Sequence, residues 1–162
     1  MFEMMVLAKL MCRPCHGYEL KTYLANFNPN NNKIYPALRQ LNSKGFVVAE
    51  IQIQKGRPNR KIYSITPAGL ERFVQLLKDF DFEKAQNTDE FNLRISFSYL
   101  LDKETMCNIL ALRQKALLSQ SSVPDLIPED ENKEMVDRLR SLHSRIRTLE
   151  MGFVESLIVS YQ

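Results

Sequence analysis

Residues 16–47 read HGYELKTYLANFNPNNNKIYPALRQLNSKGFV, and after a short alternating segment residues 55–66 read KGRPNRKIYSIT. The first stretch predicts two short helices: Leu20, Leu24 and Phe27 share one helical face, and the helix over residues 16–27 ends before Asn28-Pro29. The second stretch predicts a basic turn and a returning strand. This order of elements is typical of a winged helix, which places its second helix in a DNA groove and a basic hairpin beside it.

The second helix carries its apolar residues on one side. Ile34, Leu38 and Leu41 form the predicted inward face, and Gly45 is the expected stop. Pro36 is comfortable only in a first turn, so the start of this helix stays open.

The hairpin and the helix after it have clear local signals. Ala49, Ile51 and Ile53 alternate with polar residues, which predicts a half-buried strand, and residues 62–65 predict its partner. Thr66-Pro67 predicts the start of the next helix, with Thr as the N-cap and Pro in the first turn.

Charge is distributed unevenly along the 162 residues. Residues 1–80 carry 12 Lys and Arg against 5 Asp and Glu, a net charge of +7, whereas residues 81–162 carry 10 against 14, a net charge of −4. This asymmetry indicates a polyanion-binding module joined to a module with another task, with chance asymmetry between two solvated surfaces as the alternative. The predicted domains are residues 1–82 and 88–162.

The three cysteines and the absence of targeting signals bear on the compartment. The chain shows no secretory signal and no apolar run of about 18 residues, so we expect a cytoplasmic protein with reduced thiols and no membrane partner. Cys12-Arg13-Pro14-Cys15-His16 nevertheless matches the C-x-x-C-H pattern of haem attachment. A haem site, a redox dithiol and structural thiols are the interpretations, of which the last is favoured. No motif supports an enzyme, a cofactor or a metal site.

The second half of the chain is predicted to be helical. Residues 91–97 alternate strictly, which by period alone indicates a strand, but a lone strand beside the helix predicted at residues 102–120 would lack a partner. Residues 121–128 form a predicted linker.

The last segment repeats apolar residues every seven positions, which indicates a coiled-coil seam of about three heptads. Such a seam needs a partner helix. Packing against the chain's own helices is one interpretation, and self-association is the one we favour. The predicted dimerisation residues are Met135, Leu139, Leu142, Ile146, Leu149 and Phe153.

Basic residues cluster on the two elements that a winged helix presents to DNA. Lysine and arginine neutralise phosphates, arginine also pairs with guanine, and amide side chains bind phosphate or base edges. A merely solvated basic face is the alternative. The predicted DNA-binding residues are Tyr18, Asn31, Asn32, Lys33, Tyr35, Arg39, Lys55, Gly56, Arg57, Arg60 and Lys61.

Five motifs, in their order and spacing, resemble the PadR family of transcriptional regulators. They are His16-Gly17-Tyr18-Glu19-Leu20, Ile34-Tyr35-Pro36-Ala37-Leu38 followed by Leu41, Gly45-Phe46-Val47, Gly56-Arg57-Pro58 and Tyr63-Ser64-Ile65-Thr66-Pro67-Ala68-Gly69. The resemblance implies that Tyr35-Pro36 lies on the recognition helix and Gly56-Arg57-Pro58 at the wing. Residues 88–160 more loosely resemble the helical C-terminal domain of virulence-activator-like members, which implies a helix over residues 91–101 and a homodimer. Many members of the family bind small aromatic or lipophilic effectors, and no residue here identifies one.

The prediction is a mainly α protein with a small two-stranded β-wing, in which a winged helix-turn-helix domain precedes a helical dimerisation domain. Its expected function is sequence-specific regulation of transcription, as a homodimer on a palindromic operator in double-stranded DNA. The alternative is a winged-helix protein-interaction module without DNA binding, and salt-dependent DNA affinity separates the two.

Overall fold

The structure, a computed structural model, describes residues 1–25, 33–54, 59–119 and 133–161. They fall into two units, Met1–Asp79 and Phe80–Gln162. The elements are α1 Phe2–Cys12, β1 Cys15–His16, α2 Gly17–Ala25, α3 Ile34–Ser43, β2 Val47–Gln52, β3 Arg60–Ile65, α4 Pro67–Lys78, α5 Phe82–Ala85, α6 Thr88–Ser96, a 3₁₀ turn Ser98–Leu100, α7 Lys103–Ser119 and α8 Lys133–Tyr161. The mainly helical prediction is confirmed.

The sheet of the first unit has three antiparallel strands in the order β1-β3-β2. β2 and β3 pair from Val47–Ile65 to Gln52–Arg60, and β1 adds the pair Cys15–Tyr63 on the other side of β3. The predicted wing had two strands, and His16 was placed in the second helix. β1 was missed because two residues are too few to show the alternation that identifies a strand.

The predicted helix boundaries around the hairpin are confirmed. Gly45 adopts a φ of 74° directly after α3, and Thr66 caps α4 by accepting a hydrogen bond from the Gly69 amide at 3.1 Å. The Thr66 hydroxyl also donates to the Gly45 carbonyl at 2.6 Å. A Cβ at Gly69 would lie 1.9 Å from the Phe46 carbonyl oxygen, so α4 approaches the hairpin closely only because this residue is glycine.

The core of the first unit forms around α1, which is apolar on nearly all sides. α3 contributes its predicted inward face of Ile34, Leu38 and Leu41, all of which are buried. The prediction for β2 was wrong at two positions, since Ile51 and Ile53 are exposed. The apolar side of the strand runs past the end of the core, which sequence alternation cannot reveal.

α6 resolves the ambiguity of residues 91–97 in favour of a helix, but the helix expected over residues 91–101 ends at Ser96 and a 3₁₀ turn follows it. The Asn87 side chain accepts a hydrogen bond from the Glu90 amide at 3.0 Å and caps its start. Phe91 joins the second core, with Met106, Ile109, Leu110 and Leu117 from α7 and Val154 from α8. Each such buried side chain contributes about 1.5–3 kcal/mol to folding.

Two buried arginines hold the second unit together. Arg113 on α7 donates to the Ala85 carbonyl at 2.6 Å, to the Thr88 hydroxyl at 2.8 Å and to the Glu150 carboxylate at 2.9 Å, which ties α7 to α5, α6 and α8. Arg94 pairs with Glu90 on α6, and its guanidinium lies 4.6 Å from the centre of the Phe80 ring. Buried charges need such partners, so the two arginines fix how these helices pack.

α8 has an inward and an outward face. Val136 and Val154 are buried, and Met151, Leu157 and Ile158 pack against the core of their own unit. The predicted seam lies on a different side of the helix: Leu139 is half-buried, while Met135, Leu142, Ile146, Leu149 and Phe153 are between 45% and 76% exposed. The second unit therefore leaves most of the seam uncovered.

Candidate nucleic-acid interface

A groove of about 620 Å³ lies where the start of α2, one face of α3 and the strand β3 meet. Arginine and lysine line it together with tyrosine, and none of the described lining residues is acidic. The groove therefore carries positive charge, which attracts an anionic polymer. Its lining residues are His16, Gly17, Tyr18, Tyr35, Arg39, Asn59, Arg60, Lys61 and Tyr63.

The outer face of α3 supplies Tyr35 and Arg39, which are four residues apart and therefore neighbours on the helix surface. Burial of Ile34, Leu38 and Leu41 on the opposite side fixes the rotation of α3 and turns these two side chains outward. Among the described residues, no carboxylate pairs with Arg39, Arg60 or Lys61, so their charges are available to a ligand.

The start of α2 supplies the part of the groove nearest to β1. His16 Nδ1 accepts a hydrogen bond from the Glu19 amide at 3.1 Å and so caps the helix. Glu19 in turn pairs with Arg13. A Cβ at Gly17 would lie 2.8 Å from the Tyr35 ring, so the ring rests directly on the backbone at this point. These contacts hold Tyr35 against the helix start while its outer edge stays exposed.

β3 supplies the remaining wall. The Gln54 amide donates to the Asn59 side chain at 3.4 Å, which links the two arms of the hairpin beside Arg60 and Lys61. Burial raises the pKa of the Tyr63 hydroxyl, Tyr35 raises it further, and Arg39 opposes the change. Tyr63 therefore stays protonated and remains a hydrogen-bond donor close to Tyr35 and Arg39.

The structure brings five of the eleven predicted DNA-binding residues to this groove: Tyr18, Tyr35, Arg39, Arg60 and Lys61. Lys33 is exposed at the N-cap of α3 but does not line the groove. Five others lie outside the described residues: Asn31, Asn32, Lys55, Gly56 and Arg57.

The predicted set omitted four residues that also line the groove: His16, Gly17, Asn59 and Tyr63. The first two belong to the HGY motif, and their place became clear only with β1. Asn59 and Tyr63 flank basic residues that were predicted, so their position on the hairpin was the available signal.

The two cysteines of the C-x-x-C-H segment differ in burial. Cys12 ends α1 and is exposed, whereas Cys15 is buried in β1. Burial raises the pKa of the Cys15 thiol, Glu19 raises it further, and Lys9 and Arg13 oppose the change. A thiol that resists ionisation is a poor nucleophile and a poor metal ligand.

The described residues contain no group of three or more His, Cys, Asp or Glu side chains that could hold a metal ion. None of their helices combines the length and apolar character that crossing a bilayer requires.

The first unit matches a known family. The model of the transcriptional regulator PadR-like family matches residues 6–75, which include every described residue that lines the groove. A comparison with curated proteins gave no match.

Solved structures with similarity to the chain include three from bacteria and archaea. TA0346, a proposed transcriptional regulator from Thermoplasma acidophilum, is 30% identical, with 46% of this chain and 72% of that one covered and a TM-score of 0.41. Bacillus subtilis PadR in complex with operator DNA is 20% identical, with 99% and 98% covered and a TM-score of 0.48. The PadR-like transcriptional regulator BC1756 from Bacillus cereus is 24% identical, with 99% and 95% covered and a TM-score of 0.41. By the match over residues 6–75, which spans nearly all of Met1–Asp79, the first unit belongs to the transcriptional regulator PadR-like family.

Proposed function

We propose that this regulator binds double-stranded DNA through the groove between α2, α3 and β3, and that it recognises a specific operator sequence. The observation that carries the proposal is the convergence of Arg39, Arg60 and Lys61 with exposed Tyr18 and Tyr35 in one groove, whose described lining residues include no acid. Three separate elements supply these side chains, so their meeting is a property of the fold.

The side chains divide between phosphate and base recognition. Arg60 and Lys61 lie on β3 and are placed to neutralise phosphates, which gives affinity without sequence preference. Arg39 and Tyr35 project from α3, the element that a winged helix inserts into the major groove, where arginine pairs with the edge of guanine. Lys33, Asn31, Asn32, Lys55, Gly56 and Arg57 complete the proposed surface on sequence grounds.

We also propose that residues 88–162 dimerise through α8, while residues 1–82 bind DNA. The support is the exposed row of Met135, Leu142, Ile146, Leu149 and Phe153 on the side of α8 that its own unit leaves uncovered. A helix face of this length and apolar character is stabilised by a second copy. Two-fold symmetry then pairs two half-sites, which predicts a palindromic operator.

The test is selection of bound duplexes from a random DNA pool by the full chain, followed by affinity measurements at several salt concentrations. We expect an enriched palindromic sequence and an affinity that falls steeply as salt increases. An unenriched pool with no salt-dependent binding would contradict the proposal and favour the protein-interaction module.

A further inference from the structure

The apolar side of β2 extends beyond the core of the first unit. Val47, at the start of the strand, is 2% exposed, whereas Ile51 is 64% exposed and Ile53, just after the strand, is 83% exposed. Transfer of an isoleucine side chain from water to an apolar contact lowers its free energy, so the two exposed isoleucines at the end of β2 form a candidate contact surface.

The strand register places Ile51 beside the groove. Ile51 pairs with Lys61 and Ala49 pairs with Tyr63, and directly opposed residues of an antiparallel pair point to the same face of the sheet. Lys61 and Tyr63 both line the groove. The face that carries Ile51 is therefore continuous with the groove wall.

We propose that Ile51 and Ile53 extend the DNA-binding groove and contact the apolar carbon atoms of duplex DNA, which are the thymine methyl group and the deoxyribose ring. This inference rests on the proposed function, since the groove must hold DNA for the contact to exist. Cations attract phosphates of any sequence, whereas apolar side chains beside them distinguish bases that carry a methyl group.

Duplex DNA fits this patch better than a protein partner does. The patch consists of two isoleucines, far less than the roughly 800 Å² that each side of a stable protein interface buries. Its neighbour on the same face of β3 is the cation Lys61, which favours a ligand that offers apolar atoms close to negative charge.

The test compares the full chain with the double variant Ile51→Thr/Ile53→Thr. Threonine keeps the β-branched shape that suits a strand but removes apolar surface. The probe is the duplex selected by the full chain, together with the same duplex carrying uracil for thymine. We expect the variant to bind the thymine duplex at least about fourfold more weakly, the value for one buried methyl group.

The uracil duplex, compared between the unmodified chain and the double variant, identifies which carbon atoms are contacted. If the contact is a thymine methyl group, the unmodified chain binds the uracil duplex a few-fold more weakly, and the variant binds both duplexes equally. If the contact is deoxyribose, the unmodified chain binds both duplexes equally and the variant binds both more weakly.

Val48→Thr is the matched control, because Val48 is 42% exposed on the same strand. It pairs with Ser64 and points to the opposite face of the sheet from Ile51. We expect it to keep full affinity. Wild-type DNA affinity in a folded double variant would overturn the inference. A double variant that lost self-association but kept its DNA affinity would overturn it as well. Failure of the unmodified chain to select any duplex would instead remove the proposed function itself.

Discussion

The two units of the chain use arginine in opposite ways. Arg39 and Arg60 in the first unit line an open groove, whereas Arg94 and Arg113 in the second are each 1% exposed. Arg113 donates hydrogen bonds to residues of α5, α6 and α8. By contrast, no described carboxylate pairs with Arg39. A count of charges along the sequence therefore says little until burial shows which arginines face solvent and which hold helices together.

Their exposed apolar residues differ as well. The second unit exposes one long row along α8, and the first exposes a small patch at the end of β2. By size, the row suits a second copy of the chain and the patch suits a contact within a DNA interface. Substitutions in the two units test whether they differ in this way.

The largest effect is expected from the α8 seam. Leu142→Asp together with Leu149→Asp places charges on two exposed seam positions, so the chain should fold but remain monomeric. DNA affinity should fall by about 100-fold or more, because two linked half-sites no longer bind together. Sedimentation and DNA titration measure the two effects.

Leu118→Asp is the control for the seam. Leu118 is 73% exposed on α7 and is not a seam residue, and its change should leave both assembly and DNA affinity intact. A double seam variant that still sediments as a dimer would place the contact between copies elsewhere.

Replacing the buried arginine of the second unit should lower stability. Arg113→Met leaves Glu150 without its partner and should cost about 3 kcal/mol of unfolding free energy, near the lower end for broken buried pairs because the Glu150 side chain is 29% exposed. Adding Glu150→Gln should recover part of the loss, since no uncompensated charge remains. Chemical denaturation measures both.

Arg138→Met is the matched control for this pair. Arg138 and Glu134 form an exposed ion pair on α8, which should contribute no more than about 0.5 kcal/mol. Equal losses at Arg113 and Arg138 would show that burial does not set the contribution of these arginines.

The same kind of change in the first unit should lower affinity instead of stability. Arg39→Ala should weaken DNA binding by about 1–3 kcal/mol if the side chain contacts a base edge, with an unchanged melting temperature. Lys44→Ala, at the exposed C-cap of α3 outside the groove, should have little effect. A lower melting temperature with normal DNA binding would make Arg39 a structural residue like Arg113.

The smallest effect is expected at the exposed thiol of the first unit. Cys12→Ser should change stability and DNA affinity by less than about 0.5 kcal/mol, because Cys12 is an exposed residue at a helix end. DNA binding should be equal under oxidising and reducing conditions. A reversible loss of binding on oxidation that Cys12→Ser abolishes would restore the redox interpretation.

Sequence patterns predicted most of the first unit and the helical character of the second. The Thr66-Pro67 start, the Gly45 stop and the inward face of α3 were predicted correctly because each depends on residues close together in the sequence. In α6 the alternating period pointed to a strand because Arg94 counted as polar. Its pairing with Glu90 lets a charged residue lie inside the protein, which no hydropathy pattern can show.

The candidate site was predicted by residue type better than by position. Clustering of cations and tyrosines identified the surface, but the groove depends on β1 and on the Gly17–Tyr35 contact, both of which form only when distant segments meet. The sequence also did not predict that Ile51 is exposed, since its exposure depends on where the core ends.

The most direct test of DNA binding through the groove is the salt dependence of DNA affinity for the full chain and for the triple variant Arg39→Ala/Arg60→Ala/Lys61→Ala. We predict a steep linear fall of log K with log salt for the unmodified chain, and a slope smaller by about one for each cation that contacts a phosphate. Equal affinities and equal slopes for the two folded proteins would contradict the account.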